Sequence, residues 1–285
     1  MNIATRPLRE HADIAALEEL QFELSGGWER LVIPPHALVT VRDAGGIMLG
    51  AYDADSDELL GALVDLVWPG GRSYTASTMF IGVREKARNR GVGQRLRRAE
   101  RRYARRSGIS LVQFAVDPLR GIDAHIAFNR LGAVGVGYIR NLYGPLPGPT
   151  DGGLATDRIA IEWWIDSPRV TGVVDHGEPP AHYRLGLDRM EVVTKTRAVG
   201  SGVRQLLEFD PAPGGGVILV EVPVDFNRLL ASFPKLARDW RVKAREVFET
   251  LFGKGYLLTG FVHEAGRSFH LLERKRKEAV LEETG

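Results

Sequence analysis

The segment Arg88-Asn89-Arg90-Gly91-Val92-Gly93-Gln94 constrains this 285-residue chain more than any other. It follows a strand candidate, Thr75–Val83, and opens a helix whose apolar positions Val92, Leu96, Ala99 and Tyr103 fall on one stripe. Ser107-Gly108 closes that helix. Ile109–Val116 is then apolar at almost every position, the pattern of a strand covered on both faces, as parallel strands usually are. Strand, helix and buried strand make a βαβ unit. At such a handover the free N–H groups of the helix's first turn point into the loop. Gly91 and Gly93 carry no Cβ, so a ligand can approach the backbone closely, and the positive end of the helix dipole favours an anion there. Arg88 and Arg90 add charge. The loop is not a P-loop, because no Gly-Lys-Ser/Thr follows. It is not the dinucleotide fingerprint either, because Leu96 stands where that pattern needs its third glycine.

The elements around this unit can be read in outline. Ile3–Arg6 is a strand candidate ended by Pro7. Asp13 is a candidate N-cap for a helix carrying Ile14, Leu17, Leu20 and Leu24, which Gly26 and Gly27 stop. After a loop with Pro34 and Pro35, Ile47–Tyr52 and Leu59–Trp68 flank the acidic turn Asp53, Asp55, Asp57 and read as an antiparallel hairpin. Beyond the βαβ unit come a short helix near Ile122–Leu131, stopped by Gly132, and strand candidates Val134–Leu142 and Arg158–Ile165. The Gly- and Pro-rich stretch Tyr143–Thr156 lies between those strands.

From Ser167 the texture changes, and residues 167–189 read as a patternless linker or wrapping loop. Strand candidates Met190–Thr196, Arg204–Phe209 and Val217–Pro223 follow. Leu236, Trp240, Ala244, Val247 and Leu251 mark an amphipathic helix, and Tyr256–His263 with Ser268–Glu273 form a hairpin around Gly266. The charged tail from Arg274 is expected to fray. Val217–Asp225, helix, Phe252–Tyr256 echoes Leu111–Asp117, helix, Leu131–Tyr138. The chain is therefore divided into residues 1–166 and a second α/β region, 167–285, read as a degenerate repeat that lacks the Gly-rich loop.

Composition removes several classes of function. Hydrophobic residues at 44% and charged residues at 26% suit a globular chain rather than a disordered one. A formal charge of +2 excludes a bulk polycation, and zero Cys excludes disulfides, thiolate nucleophiles and Cys-containing zinc sites. No apolar run approaches a membrane span and Met1–Glu10 lacks a secretory pattern, so no membrane partner and a cytoplasmic location are expected. His11, His36, His125, His176, His182, His263 and His270 are scattered, with surface or capping roles as the default, and no metal is expected.

Arg-x-x-Gly-x-Gly between a strand and a helix, followed by a buried strand and a short helix with Ala124, Phe128, Leu131 and Gly132, resembles the GNAT acyltransferase superfamily over Met1 to about Asp166. The resemblance implies a mixed, mostly antiparallel sheet flanked by helices and an acyl-CoA co-substrate, acetyl-CoA by default, with succinyl or other acyl groups open. Arg88, Asn89, Arg90, Gly91, Val92, Gly93 and Gln94 would hold the pyrophosphate. The strand end Ile81, Gly82 and Val83 would splay from Leu111–Val116 and take the pantetheine arm. The acceptor, an amine of a small molecule or amino acid, would enter near Gly26–Arg30 and Tyr143–Thr156. It would attack the thioester directly, backbone N–H groups stabilising the oxyanion.

One departure bears on catalysis. Where many relatives carry a Tyr on the short helix as general acid, this chain has Phe128, which cannot donate a proton. Tyr138 or Tyr143 could substitute, or the thiolate could leave unassisted, since a thiol of pKa about 8.5 is a tolerable leaving group. Packing is the competing role for both tyrosines. Glu162 is a candidate base through water, or a solvated strand residue. The adjacent Trp163-Trp164 puts one ring on each face of its strand. A non-catalytic acyl-CoA-binding or regulatory module is the alternative function.

The helix from Arg95 also carries Arg97, Arg98, Arg101, Arg102, Arg105 and Arg106. A nucleic-acid partner is not expected from this run. It contains Glu100, Arg outnumbers Lys 31 to 7 across the chain, and a solvated face with attraction for the nucleotide end of CoA accounts for it. The C-terminal region could also pair in a homodimer or cover the acceptor site.

Overall fold

The computed structural model of the protein describes residues 2–144, 146, 151–179, 190–200 and 202–283. His182 and residues 180–189 of the expected linker lie outside the described residues. Packing divides the chain into two units, the first comprising residues 2–114 and the second the described residues from Ala115 onward. That division falls earlier than the change of texture after Asp166.

The first unit runs β1 (Ile3–Pro7), α1 (His11–Leu24), α2 (Pro35–Asp43), β2 (Ile47–Asp53), β3 (Leu59–Gly70), β4 (Ser73–Val83), α3 (Val92–Arg106) and most of β5 (Ile109–Val116). β1 to β4 pair antiparallel in sequence order, and β5 adds in parallel to β4. Ile14, Leu17 and Leu20 of α1 and Leu38 and Val41 of α2 pack on Met48, Tyr52, Leu59, Ala62 and Val64 of the sheet. Full burial of each such aliphatic side chain stabilises by about 1.5–3 kcal/mol.

Asp13 is not the N-cap of α1. Glu10 is, and Asp13 sits at the third helical position, its carboxylate accepting the N–H groups of Arg9 (2.8 Å) and Glu10 (3.0 Å) and the hydroxyl of Tyr52 (2.9 Å). Burial alone would raise its pKa, but those donors hold it below the ordinary carboxylate value. α2 stands where the two prolines suggest a loop. Pro35 at its first position, where a missing N–H costs nothing, is the signal for it.

The second unit begins with the short α4 (Gly121–Ala124), which widens into π-type turns over His125–Arg130. β6 (Val134–Ile139), β7 (Arg158–Trp164) and α5 (Pro168–Thr171) follow, then β8 (Glu191–Val192), β9 (Thr194–Gly200), β10 (Val203–Phe209) and β11 (Val217–Val222). The remaining elements are α6 (Phe226–Ser232), α7 (Pro234–Gly253), β12 (Leu257–Glu264), β13 (Arg267–Glu273) and α8 (Lys277–Leu281). The sheet order is β7-β6-β12-β13-β11-β8, antiparallel except for β11 with β8, while β9 and β10 form a separate hairpin. Each unit is thus a mixed α/β layer with a mostly antiparallel sheet.

Two hairpins, each preceded by a helix, meet where β6 pairs with β12 at Gly135 and Leu258. The Asn129 side chain strengthens the joint, donating to the Phe261 carbonyl (2.6 Å) and accepting the Phe261 N–H (3.1 Å). α7 carries an ion-pair ladder at every fourth residue: Arg241 with Asp117, Arg245 with Asp157, and Glu249 with Arg140.

Three expectations for this half need correction. The stretch after Asp166 is helical over α5, where the Ser167 hydroxyl accepts the Val170 N–H (3.3 Å), Pro168 occupies the first position and Val170 is buried. The tail is not frayed at α8, because Val280 is fully buried and Lys277 pairs with Glu162.

His270 is the third. It is fully buried on β13, its Nε2–H donating to the Pro118 carbonyl (2.7 Å), with the Phe128, Phe248 and Phe261 rings around it. Burial drives its pKa down to about 4. An unfolded imidazole takes up its proton near pH 6.5. Unfolding therefore binds a proton between those values, and stability from this group falls as the pH falls from 6.5 towards 4, by up to about 3 kcal/mol. Urea midpoints between pH 7.5 and 4 should drop in the wild type and flatten over this window in His270→Phe. A slope that persists in the variant would remove His270 as its source.

Candidate functional site

β4 carries the site because its two sides are paired to different depths. Against β3 it is hydrogen-bonded along its length, to Gly61 opposite Val83. Against β5 the parallel pairing begins at Tyr74 opposite Ile109 and stops at Ser77 opposite Gln113. The stretch Thr78–Val83 therefore has one paired side, and backbone groups on its other side are available to a ligand. Where that change occurs the register with β3 also slips: Val64 faces Phe80, whereas Asp65 faces Thr78. Met79 is the extra residue of this β-bulge, and bulges re-aim backbone and side chains next to sites. Apolar periodicity carries no sign of it. Ile81 is exposed, and a Cβ on Gly82 would press on the side-chain ends of Leu24 of α1 and of Phe80, which would have to shift.

The chain leaves β4 under tight control. The Arg84 N–H bonds the Leu60 carbonyl (2.8 Å), its side chain reaches the Leu59 carbonyl (2.8 Å) and pairs with Glu23, and a 3₁₀ turn spans Glu85–Ala87. Ala87 is fully buried, and Arg88 Nε donates to the Val83 carbonyl (3.3 Å). Asn89 (φ 60°) and Gly91 (φ 77°) are both left-handed and reverse the chain into α3. Gly91 is the N-cap, Val92 is buried, and among the described residues no side chain caps the helix and no acidic residue occupies its first turn. A Cβ on Gly91 would meet nothing within 4 Å, and one on Gly93 would meet only Val83 Cγ2 at 3.9 Å. Open space therefore stands in front of the first-turn amides, an arrangement suited to an oxyanion. Ile81 to Val83 and Arg88 to Gln94 are brought together here.

The arginine row of α3 is not one solvated face. Arg97 and Arg101 are buried. Arg97 donates to Thr78 Oγ1 (2.8 Å) and to both oxygens of Glu100 (3.0 Å), and its guanidinium lies 4.2 Å from the Phe114 ring centre. Asp65, also fully buried, faces this cluster with both carboxyl oxygens lacking a hydrogen-bond partner among the described residues. Burial and then the Glu100 carboxylate raise its pKa well above the ordinary range, against the pull of Arg97. Helical spacing puts Arg97, Glu100 and Arg101 on the surface, and only their surroundings reveal otherwise.

The other candidates belong to the second unit. The Tyr138 hydroxyl donates to Asp157 Oδ2 (2.9 Å) and its ring stacks on Phe248. Burial, then the Asp157 carboxylate, raise its pKa far above the usual phenol value, which makes it a poor acid. Glu162 accepts from Trp164 Nε1 (2.7 Å) and Lys277 Nζ (2.8 Å). Tyr143 is exposed, with the Arg158 guanidinium 5.4 Å from its ring centre and no partner for its hydroxyl among the described residues. Phe128 is fully buried, and Trp163 is buried with its Nε1–H on the Leu131 carbonyl (2.8 Å). Among the described residues no group of three or more His, Asp or Glu could hold a metal, and no helix is long and apolar enough to cross a membrane.

No protein-family model matches this sequence, and no curated protein matches it. Solved structures similar to the chain include three acetyltransferases. The ribosomal-protein-S18-alanine N-acetyltransferase from Escherichia coli is 12% identical, with a TM-score of 0.45 over 56% of this chain and 92% of its own. An acetyltransferase of the GNAT family from Streptococcus pneumoniae is 16% identical, with a TM-score of 0.45 over 56% of this chain and 98% of its own. Arabidopsis thaliana NAA60 in complex with acetyl-CoA is 16% identical, with a TM-score of 0.44 over 57% of this chain and 100% of its own. The likeness concerns the path of the chain alone.

Proposed function

We propose that this protein is an acyl-CoA-dependent N-acyltransferase of the GNAT type, its acyl-CoA-binding region within residues 1–166 and residues 167–285 a degenerate repeat. The observation that carries the reading is the half-paired end of β4 leading through two left-handed residues into an uncapped helix. One-sided backbone can bond the amides of a pantetheine arm, and the first-turn N–H groups can take the diphosphate, as charge-assisted hydrogen bonds. The acceptor in this reading is an amine of a small molecule or amino acid. Its nitrogen attacks the thioester carbon, the C–N bond forms as the C–S bond breaks, and the ammonium proton passes to solvent or a base. Acetyl-CoA is the first donor to test.

The departing thiolate, of pKa about 8.5, leaves without a general acid in this reading, since the Tyr138 hydroxyl is held by Asp157. The commitment of Tyr138 and Glu162 elsewhere also favours the second reading, a non-catalytic acyl-CoA-binding module. Free-CoA release from acetyl- and succinyl-CoA, measured against amines, amino acids and short peptides, separates the two. Binding without turnover on every acceptor selects the module, and absence of CoA binding overturns both.

A further inference from the structure

Between β1 and α3 in the first unit lies a recess of about 380 Å³. Thr5 of β1, Arg90, Gly91 and Gln94 line it together with three arginines of α3, Arg95, Arg98 and Arg102. No carboxylate is among the residues that line it. The three arginines recur at i, i+3 and i+7, one face of a helix, and all are exposed with no ion-pair partner among the described residues. They differ in this from Arg97, which lies in the core beside Glu100.

Left empty, this arrangement is unfavourable. Arg98 and Arg102 are like charges four apart, and Arg95 stands near the positive end of the helix dipole with no acidic residue in the first turn to offset it. The preference of the chain for Arg over Lys explains the residue type but not the convergence of three on one cavity. Guanidinium forks match phosphate oxygens in geometry and charge.

We infer that the recess between β1 and α3 holds a phosphate group through Arg95, Arg98 and Arg102, in addition to any diphosphate at the loop. The phosphate is either the 3′-phosphate on the nucleotide end of CoA, which rests on the acyl-CoA reading, or a free phosphate compound, which does not.

Calorimetry on the full chain at fixed ionic strength tests this with CoA, dephospho-CoA and inorganic pyrophosphate, comparing wild type with the double variant Arg98→Gln, Arg102→Gln. If the nucleotide is the source, CoA binds about tenfold more tightly than dephospho-CoA and the variant no longer distinguishes them. If a free phosphate is the source, the two coenzymes bind alike, and pyrophosphate binds CoA-saturated wild type but not the CoA-saturated variant. A variant that matches wild type with all three ligands overturns the inference. Loss of pyrophosphate binding in the variant, with neither coenzyme bound by wild type, retains the recess and overturns the acyl-CoA reading.

Discussion

Gly91→Val is expected to abolish acyl-CoA binding in a chain that still folds. Gly91 holds φ at 77°, a region that a β-branched residue occupies only with strain. The position is open, with nothing within 4 Å of the point a Cβ would occupy, so the added methyl groups would stand in the space in front of the α3 amides rather than against the core. Loss of two charge-assisted hydrogen bonds, at about 1.5–3 kcal/mol each, weakens CoA binding by at least about a hundredfold. Titration with CoA, beside circular dichroism to confirm the fold, checks this. Gly91→Ala, smaller but with the same backbone strain, should fall between the two. An unchanged CoA affinity in folded Gly91→Val would remove the loop as the diphosphate site and the proposed function with it.

Asp117→Ala should give the largest loss of stability. Asp117 and Arg241 are both buried, joined by two hydrogen bonds of 2.9 and 2.6 Å, with Arg158 nearby. Burial would raise the Asp117 pKa, but Arg241 first, then Arg158 and the Leu119 N–H, hold it below the ordinary value. Removing the carboxylate leaves Arg241 as a buried charge without its counter-ion, which costs about 3–5 kcal/mol. A urea titration at pH 7 reads the shift. The pair itself need not be worth that much, so Asp117→Ala combined with Arg241→Met should recover a large part of the loss. A single variant within about 0.5 kcal/mol of wild type, as is usual for surface changes, would show that the ladder on α7 does not hold this unit together.

Much of the path of the chain could be read from the residues. Strands β2, β3 and β4, helices α1, α3 and α7, and the β12–β13 hairpin follow from apolar periodicity and from the glycines that interrupt it. The loop Arg88–Gln94 is legible for the same reason, since two glycines at the start of a helix leave a chemical trace. Other features leave none. α2 buries only Leu38 and Val41, too few for a periodic signal. The bulge at Met79 is a register slip, which no residue type announces. Burial of Arg97 and Glu100 depends on Thr78 and Phe114 of neighbouring strands, and burial of Asp117 and Arg241 on a counter-ion distant in sequence, so no one segment announces either pair. His270 reads as a surface residue for a related cause: its aromatic surroundings come from three separate elements.

The joint between β6 and β12 bears on how this molecule can be dissected. A fragment ending at Asp166, where the composition invites a cut, would keep Val134–Ile139 but strip away the neighbour that pairs with its outer edge. Asp117 and Asp157 would be left in that fragment without Arg241 and Arg245. Raw sheet edges recruit other chains, and orphaned acids draw in water. For expression or domain exchange, the β6–β7 hairpin and everything through β13 travel as one piece.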